Sequence, residues 1–514
     1  MKKGVLMSKT THFNGHKTML IVLDGWGLNN DYQGNAIARA KTPTFDKLWQ
    51  DYSTATLEAS GESVGLPDGQ MGTSEVNHFT IGAGKIVFQD LVRINHAIDN
   101  ENFAQNEVLK KTLDHVKQNS STLHLMGLLS NGGVHSHLNH FIALLKAAKL
   151  AGVHQVCVHA FSDGRDTAPQ SSLSYIQTLE NEMEKIGVGE IVSLVGRYFA
   201  MDRDHNWDRT NLAYRLLTER DGEKFTSATK AAAASHQAGV TDEFIKPCII
   251  ETKLGDKAKV KPGDGLIFVN FRNDRPRQLT ETFLKHDLEN LFFTTMTRYN
   301  PFFKTHVMFD PQDVELCLGQ VISEAGLKQV RITETEKFAH MTYFLNCKHE
   351  EAFEGEDRVM FDSYSDIPTH DYRPEMRVHD IAKEIVSQLE RGDHQAIFTN
   401  LCNADMVGHT GNIPAAIAAC EAVDQALSVI IPTALANDYT VLLTADHGNA
   451  EEMLDEETGE VITSHSLNPV PLILISKHFS ELNRRSGLLI DLAPTIISML
   501  GLEKPQGMTG KSFV

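Results

Sequence analysis

Short apolar runs that end in Asp or His constrain this chain more than any other feature of its 514 residues. Thr18-Met19-Leu20-Ile21-Val22-Leu23 leads into Asp24-Gly25-Trp26-Gly27, and Ala396 to Cys402 is followed by Asn403-Ala404-Asp405 and His409. Tyr439 to Leu443 leads into Thr444-Ala445-Asp446-His447-Gly448-Asn449, and the loop Thr463-Ser464-His465-Ser466 precedes the apolar run Val470 to Ile475. Runs of this length and β-branched content read as buried strands. Open α/β sheets place their ligand sites beyond strand exits. Three carboxylates and three histidines at such exits form a donor set suited to Mn²⁺, Zn²⁺ or Mg²⁺. Six such ligands exceed what one ion usually takes, so two ions are expected. Asp446 and His447 are adjacent, and their side chains diverge; they would serve one ion with distorted geometry or link two neighbouring ions.

The chain is too long for one ordinary core. Apolar runs alternate with amphipathic stretches, the pattern of α/β units around mostly parallel sheet. Trp49 to Ala59 carries a second strand, the Gly- and Pro-containing stretch 61–69 is a loop, and a helix is expected to begin near Ser74-Glu75. From about Gln89 the strand-like runs (Leu123–Leu129, Gln155–Phe161, Ile191–Val195, Leu266–Asn270) end in basic residues, and the Asp/His exits return after about Asp313. One metal-binding domain interrupted by an inserted second domain explains this order. The expected division is 18–88 and 310–514 for the first domain and 89–309 for the insert. Linkers would lie near 85–92 and 305–312, with 1–17 a disordered extension in which Met7 is an alternative start.

Ser74 is the sharpest nucleophile candidate. A serine hydroxyl is inert near neutrality unless its alkoxide is stabilised, which a divalent ion and a helix N-terminus both do. A serine before Glu is more often a plain N-cap; the Asp/His set tips the reading towards the nucleophile. Asp405 and His409, four apart, can face one ion on a helical turn. In the insert, Arg165, Arg197, Arg203, Arg272 and Arg275 stand among aspartates at strand exits, an arrangement that holds guanidinium forks rigid for a phosphate or carboxylate. Of His135 and His137, one could bridge a phosphate or act as acid or base, and the other reads as structural. On its own evidence Lys337 is a plain solvated charge.

A formal net charge of −19 argues against a general nucleic-acid or membrane-surface binder, so an anionic substrate needs a local basic pocket. Six cysteines without a CxxC pair indicate a reducing compartment. Cys157 and Cys402, in strand-like runs, read as small core residues. No apolar stretch is read as long enough to cross a membrane, and the polar N-terminus lacks a signal-peptide core. A cytoplasmic protein is expected, and nothing in the composition calls for more than a monomer.

From Lys17 to Val514 the chain resembles the cofactor-independent phosphoglycerate mutases of the alkaline phosphatase superfamily. The motifs include Leu23-Asp24-Gly25-Trp26-Gly27, Thr73-Ser74-Glu75-Val76, Gly133-Val134-His135-Ser136-His137, Asp163-Gly164-Arg165-Asp166-Thr167 and Gly196 through Asp204. Phe271 through Arg275, Glu334-Thr335-Glu336-Lys337, Asn403 through His409, Thr444 through Asn449 and Thr463 through Ser466 complete the set. The resemblance implies an alkaline-phosphatase-like α/β domain carrying an inserted α/β domain. It also implies interconversion of 3-phosphoglycerate and 2-phosphoglycerate through a phosphoserine on Ser74, without 2,3-bisphosphoglycerate. One metal would be held by Asp405, His409 and His465, the other by Asp24, Ser74, Asp446 and His447; Mn²⁺ is the expected ion, with Mg²⁺, Co²⁺ and Zn²⁺ as alternatives. His135, Arg165, Asp166, Arg197, Arg203, Arg272, Arg275 and Lys337 match the substrate-binding positions. Domain closure would exclude water during transfer. The family pattern around the nucleophile is Asn-Ser-Glu-Val-Gly-His; here Thr73 and Asn77 depart from it.

Overall fold

The computed structural model describes residues 13–455 and 457–514. Residues 1–12 of the expected N-terminal extension lie outside the described residues. The end of that stretch belongs to the fold: the His16 amide donates to Met499 O at 2.8 Å, and its ring stacks on His478 with centroids 4.0 Å apart. Among the described residues the chain forms two compact units. One runs up to Phe88 and resumes at Asp313, and the other spans Gln89–Gln312.

The first unit is built on an eight-stranded sheet. Its central strand, Lys17–Leu23, lies parallel between Ala396–Leu401 and Tyr439–Thr444. All three are buried almost throughout, as strands covered on both faces must be. Gln329–Glu334 and Glu356–Phe361 extend the parallel side. Val470–Ile475 runs antiparallel to Tyr439–Thr444 and pairs with Ser53–Glu58 beyond. This reversal matters for the site. The three central strands all exit at one sheet edge, and the antiparallel strand is entered from that edge, so the loop bearing His465 arrives there before its strand rather than after it.

The second unit has its own eight-stranded sheet, with Gly265–Phe268, Leu123–Leu128, Val156–Ser162 and Glu190–Gly196 neighbouring and parallel. Its apolar core includes Leu125, Val158, Leu194, Ile267 and Phe141. Three local readings are corrected. Residues 49–51 complete the helix Pro43–Asp51, and the strand that follows is Ser53–Glu58. The stretch 305–312, read as a linker, opens with His306–Phe309, an edge strand paired parallel to Phe292–Thr297. The helix Ile413–Ala436, with mean hydropathy 1.5, is long and apolar enough to cross a membrane, contrary to the expectation above. Half of its apolar window is buried in the fold. It packs on Val378–Arg391, and Asp424 accepts hydrogen bonds from the amides of Thr44 and Phe45 at the start of the helix Pro43–Asp51.

Candidate active site

In the first unit the exits of the central strands bring their polar residues together. Ser74 is not the cap of its helix, Ser74–Ala83. Thr73 takes that position with an extended backbone (φ −126°, ψ 151°), and its Oγ accepts from the Val76 amide at 3.3 Å. Ser74 is therefore the first helical residue, and its Oγ is free for the site. It stands 2.8 Å from His447 Nε2 and 3.5 Å from Asp24 Oδ1. His447 Nε2 lies 3.4 Å from Asp446 Oδ2 and 3.6 Å from Asp24 Oδ1. Asp446 Oδ2 is buried with no hydrogen-bond donor, a costly state for a carboxylate oxygen unless a cation is its partner. Burial, with Asp24 nearby, pushes the Asp446 carboxyl up to about 7.

Beside this group Asp405 Oδ1 lies 3.2 Å from both His409 Nε2 and His465 Nε2, and the two nitrogens are 3.1 Å apart. Each ring has Nδ1 2.7 Å from a backbone carbonyl, Thr463 O for His409 and Gly72 O for His465. Nδ1 therefore carries the hydrogen, and the Nε2 lone pairs face Asp405. Three electron-rich atoms so close repel one another unless a proton or cation lies among them. Donors about 2.0–2.2 Å from one shared ion stand roughly 3.0–3.6 Å apart, which this triangle matches. The hydrogen bond to Asp405 raises the His409 imidazole above its ordinary value. At His465 burial opposes the charge, and Asp405 outweighs it. Asp405–His409–His465 and Asp24–Asp405–His447 are each compact enough to hold a metal ion.

Lys337 is not solvated. It is 4% exposed, with Nζ 2.9 Å from Asp24 Oδ1, 2.7 Å from Asp405 Oδ2 and 2.7 Å from Ser74 Oγ. Burial works against its charge, yet Asp24 and Asp405 hold its pKa well above the ordinary value. It belongs to the serine cluster of the first unit, whereas the arginines with which the sequence grouped it belong to the second.

Sequence reasoning also missed the groups that orient these side chains. His78, fully buried, donates from Nδ1 to Ser74 O at 2.8 Å and accepts at Nε2 from Asn400 Nδ2 at 3.2 Å. Asn400 also donates to Asp24 Oδ2 at 2.6 Å, and Asn449 donates to Asp405 Oδ1 at 3.0 Å. Asp24, His78 and Asp446 are close enough to hold an ion, but with both ring nitrogens engaged His78 acts as a positioning residue. The four-residue spacing from Ser74 was the available signal, since it puts both on one helix face.

The second unit holds the arginines at adjacent strand exits. Arg197, 2% exposed, donates from Nη1 to Asp163 Oδ1 and Asp166 Oδ2, both at 2.6 Å. Asp274 receives Arg203 Nη1 at 2.8 Å and lies 3.3 Å from Arg272 Nε. Arg275 donates to Met201 O at 3.1 Å, and its charge is opposed first by burial and then by Arg197, Arg203 and Arg165. His135 sits between Asp166 (3.7 Å) and Asp274 (3.6 Å); burial and Arg197 push it down to about 4, so it is neutral near pH 7. Arg165 is half exposed and pairs with Glu243 at 3.2 Å, at the margin of the group. Asp163 and Asp274 hold the forks but did not figure among the candidates.

A serine beside a metal-type ligand cluster, and a second unit presenting anchored arginines, are the equipment of a phosphoryl-transfer enzyme. Residues 94–301 match the family model described as the N-terminus of the BPG-independent PGAM proteins. The chain is 46% identical to a 2,3-bisphosphoglycerate-independent phosphoglycerate mutase of Clostridium acetobutylicum, over 96% of this chain and 98% of the relative. It is 45% identical to the enzyme of that name from Clostridioides difficile, over the same shares. A crystal structure of Leishmania mexicana phosphoglycerate mutase superposes with a TM-score of 0.54 at 29% identity, covering 97% of both chains. The chain belongs to the family of 2,3-bisphosphoglycerate-independent phosphoglycerate mutases.

Proposed function

We propose that this protein interconverts 3-phosphoglycerate and 2-phosphoglycerate without 2,3-bisphosphoglycerate, by way of a phosphoserine on Ser74. The observation that carries this reading is the pairing of an uncapped, buried Ser74 Oγ with Lys337 Nζ at 2.7 Å and His447 Nε2 at 2.8 Å, in a chain of this family. Ser74 Oγ attacks the phosphorus, the bond from phosphorus to the glycerate oxygen breaks, and that oxygen takes up a proton in exchange for the one Ser74 gives up. The other glycerate hydroxyl then attacks the phosphoserine and reverses the exchange. Lys337 offsets charge on Ser74 Oγ and on the phosphoryl oxygens. Arg197, Arg203, Arg272 and Arg275, with His135 and Asp166, bind the anionic glycerate, and Arg165 adds a further cation.

We assign one divalent ion to Asp405, His409 and His465, and a second to Asp24, Ser74, Asp446 and His447. The orphaned Asp446 Oδ2 and the lone pairs converging on Asp405 fit such ions. Bound there, they would supply Lewis-acid stabilisation of the serine oxygen and of the phosphoryl charge. Mn²⁺ is the ion we expect, with Mg²⁺, Co²⁺ and Zn²⁺ as alternatives; the Leishmania relative was crystallised at low cobalt concentration. The compact units correspond in this reading to a metal-binding domain and an inserted substrate-binding domain, in a monomeric cytoplasmic enzyme.

The test is a coupled assay of 3-phosphoglycerate conversion by metal-stripped protein, with and without Mn²⁺ and with no bisphosphate added. Mn²⁺-dependent turnover that Ser74→Ala abolishes is expected. Release of inorganic phosphate without isomer formation would make the protein a hydrolase and overturn the reading.

A further inference from the structure

A cluster of metal-type ligands needs support of its own, because a ligand loop that is free to move loses affinity for its ion. In the first unit that support converges on Glu451, just beyond the Asp446-His447 pair. Its side chain is 1% exposed, so the carboxylate must find its partners within the protein. Four donors meet it. Oε2 accepts from the backbone amides of Gly27 and Asn449, both at 2.9 Å. Oε1 accepts from Asn468 Nδ2 at 3.1 Å and from Ser466 Oγ. All four donors are uncharged, and together they use both carboxylate oxygens as acceptors. The approach is close, since a Cβ on Gly27 or on Gly448 would collide with the carboxylate.

The donors come from three loops that carry candidate ligands. Gly27 follows Asp24, Asn449 follows His447, and Ser466 and Asn468 follow His465. Asn449 reaches further, because its Nδ2 donates to Asp405 Oδ1 at 3.0 Å. The loops also touch in pairs: the amides of Asn449 and Ala450 donate to Gly25 O, and the Ser466 amide donates to Gly448 O. Glu451 engages all three at once through one planar group. His465 belongs to one compact ligand group, with Asp405 and His409, and Asp24 and His447 belong to another. A side chain that is in neither group thus braces both.

We propose that Glu451 is a positioning residue shared by the two ion sites, which holds the Asp24, His447 and His465 loops in the geometry that binds both ions. The proposal rests on the two-ion assignment made above. Glutamine would keep the shape of the side chain but not its bonding pattern. The two backbone amides cannot turn round, so the glutamine carbonyl oxygen would face them and its NH2 group would fall against Ser466 Oγ and Asn468 Nδ2. Asn468 also donates to Glu452 Oε2 at 2.7 Å, which opposes its turning to accept. The His465 loop would therefore be released by a donor set against a donor. The bonds from Gly27 and Asn449 would lose the charge that strengthens them.

The experiment titrates Mn²⁺ into the metal-stripped full-length protein and into Glu451→Gln. Electron paramagnetic resonance counts the free Mn²⁺ and shows the broadened spectrum of two neighbouring ions, and thermal unfolding is followed at each Mn²⁺ concentration. The parent is expected to take up two ions. In Glu451→Gln both should bind about 10–100-fold more weakly, the paired spectrum should need correspondingly more Mn²⁺, and the rise in Tm at a given Mn²⁺ concentration should shrink. A purely structural role would lower Tm equally with and without Mn²⁺. That result, or an unchanged affinity for either ion, would overturn the proposal and leave the ion assignment standing; a parent that does not bind two ions would overturn both. If Glu451→Gln does not fold, Ser466→Ala decides, since it removes one donor: Mn²⁺ binding about 3–10-fold weaker is expected, and parent affinity would overturn the proposal.

Discussion

Replacing Asn77 should destabilise the protein even when the replacement is the glycine of the family pattern. The Asn77 side chain is fully buried, and Nδ2 donates to Ala59 O at 2.9 Å and to Asp446 O at 2.8 Å. One amide thus ties the nucleophile helix to the end of one strand and to the loop that carries Asp446 and His447. The fit is mutual, since a Cβ on Gly72 would fall 2.4 Å from that nitrogen. Two hydrogen bonds at about 1 kcal/mol net each make about 2 kcal/mol, rising towards 4 if both carbonyls stay dry. Asn77 Oδ1 has no partner in the native fold, so its removal returns about 1 kcal/mol. Asn77→Ala should therefore cost about 1–3 kcal/mol, and Asn77→Gly roughly 1 kcal/mol more for helix propensity. The assay is calorimetric unfolding of chelator-treated protein, so that metal linkage does not mask the difference. Mutase turnover should fall in the same order as the Asp446 loop loosens. An Asn77→Gly protein as stable as the parent would refute the reasoning.

Lys337→Met leaves Asp24 and Asp405 buried without their counter-charge, so the metal-stripped protein should lose about 3–5 kcal/mol. Saturating Mn²⁺ should recover most of that; equal losses with and without metal, read by thermal unfolding, would contradict the site as drawn. Arg197→Lys loses the planar guanidinium that sets Nη1 between Asp163 and Asp166, and kcat/KM is expected to drop about 10–100-fold, which corresponds to roughly 1.4–2.8 kcal/mol; an unchanged kcat/KM would remove Arg197 from the anion site. Burial pushes His140 down to about 3 from an ordinary 6.5, so its contribution is complete above pH 6.5 and is lost as the pH falls towards 3. Between pH 7.5 and 5 this amounts to about 2 kcal/mol. His140→Gln should flatten that slope, and parallel unfolding curves for the two proteins would exclude the assignment.

The chemistry of the first unit was legible because strand periodicity and ligand-type residues occur in register. Asp24, Asp405 and Asp446 follow runs that are all buried strands, and any parallel packing of those runs delivers their ends to one edge. The arginine exits of the second unit were legible for the same reason. The roles of Ser74, Lys337 and His78 were not. Whether Ser74 or Thr73 caps the helix depends on one backbone dihedral, and both residues can do it. Lys337 looks like a surface charge because its compensating carboxylates lie 313 and 68 residues away in the chain.

By itself the sequence determined the α/β class, the residues that end each strand and the two chemical vocabularies, one of metal-type ligands and one of arginines. These follow from local patterns: burial periodicity, turn residues and donor type. Only the tertiary structure decided which of those residues meet. The antiparallel Val470–Ile475 strand brings His465 to Asp405, and a cap at Thr73 frees Ser74 for His447 and Lys337. Such meetings depend on strand order and on packing between distant segments, which burying one face of each element leaves undetermined until all the elements are assembled.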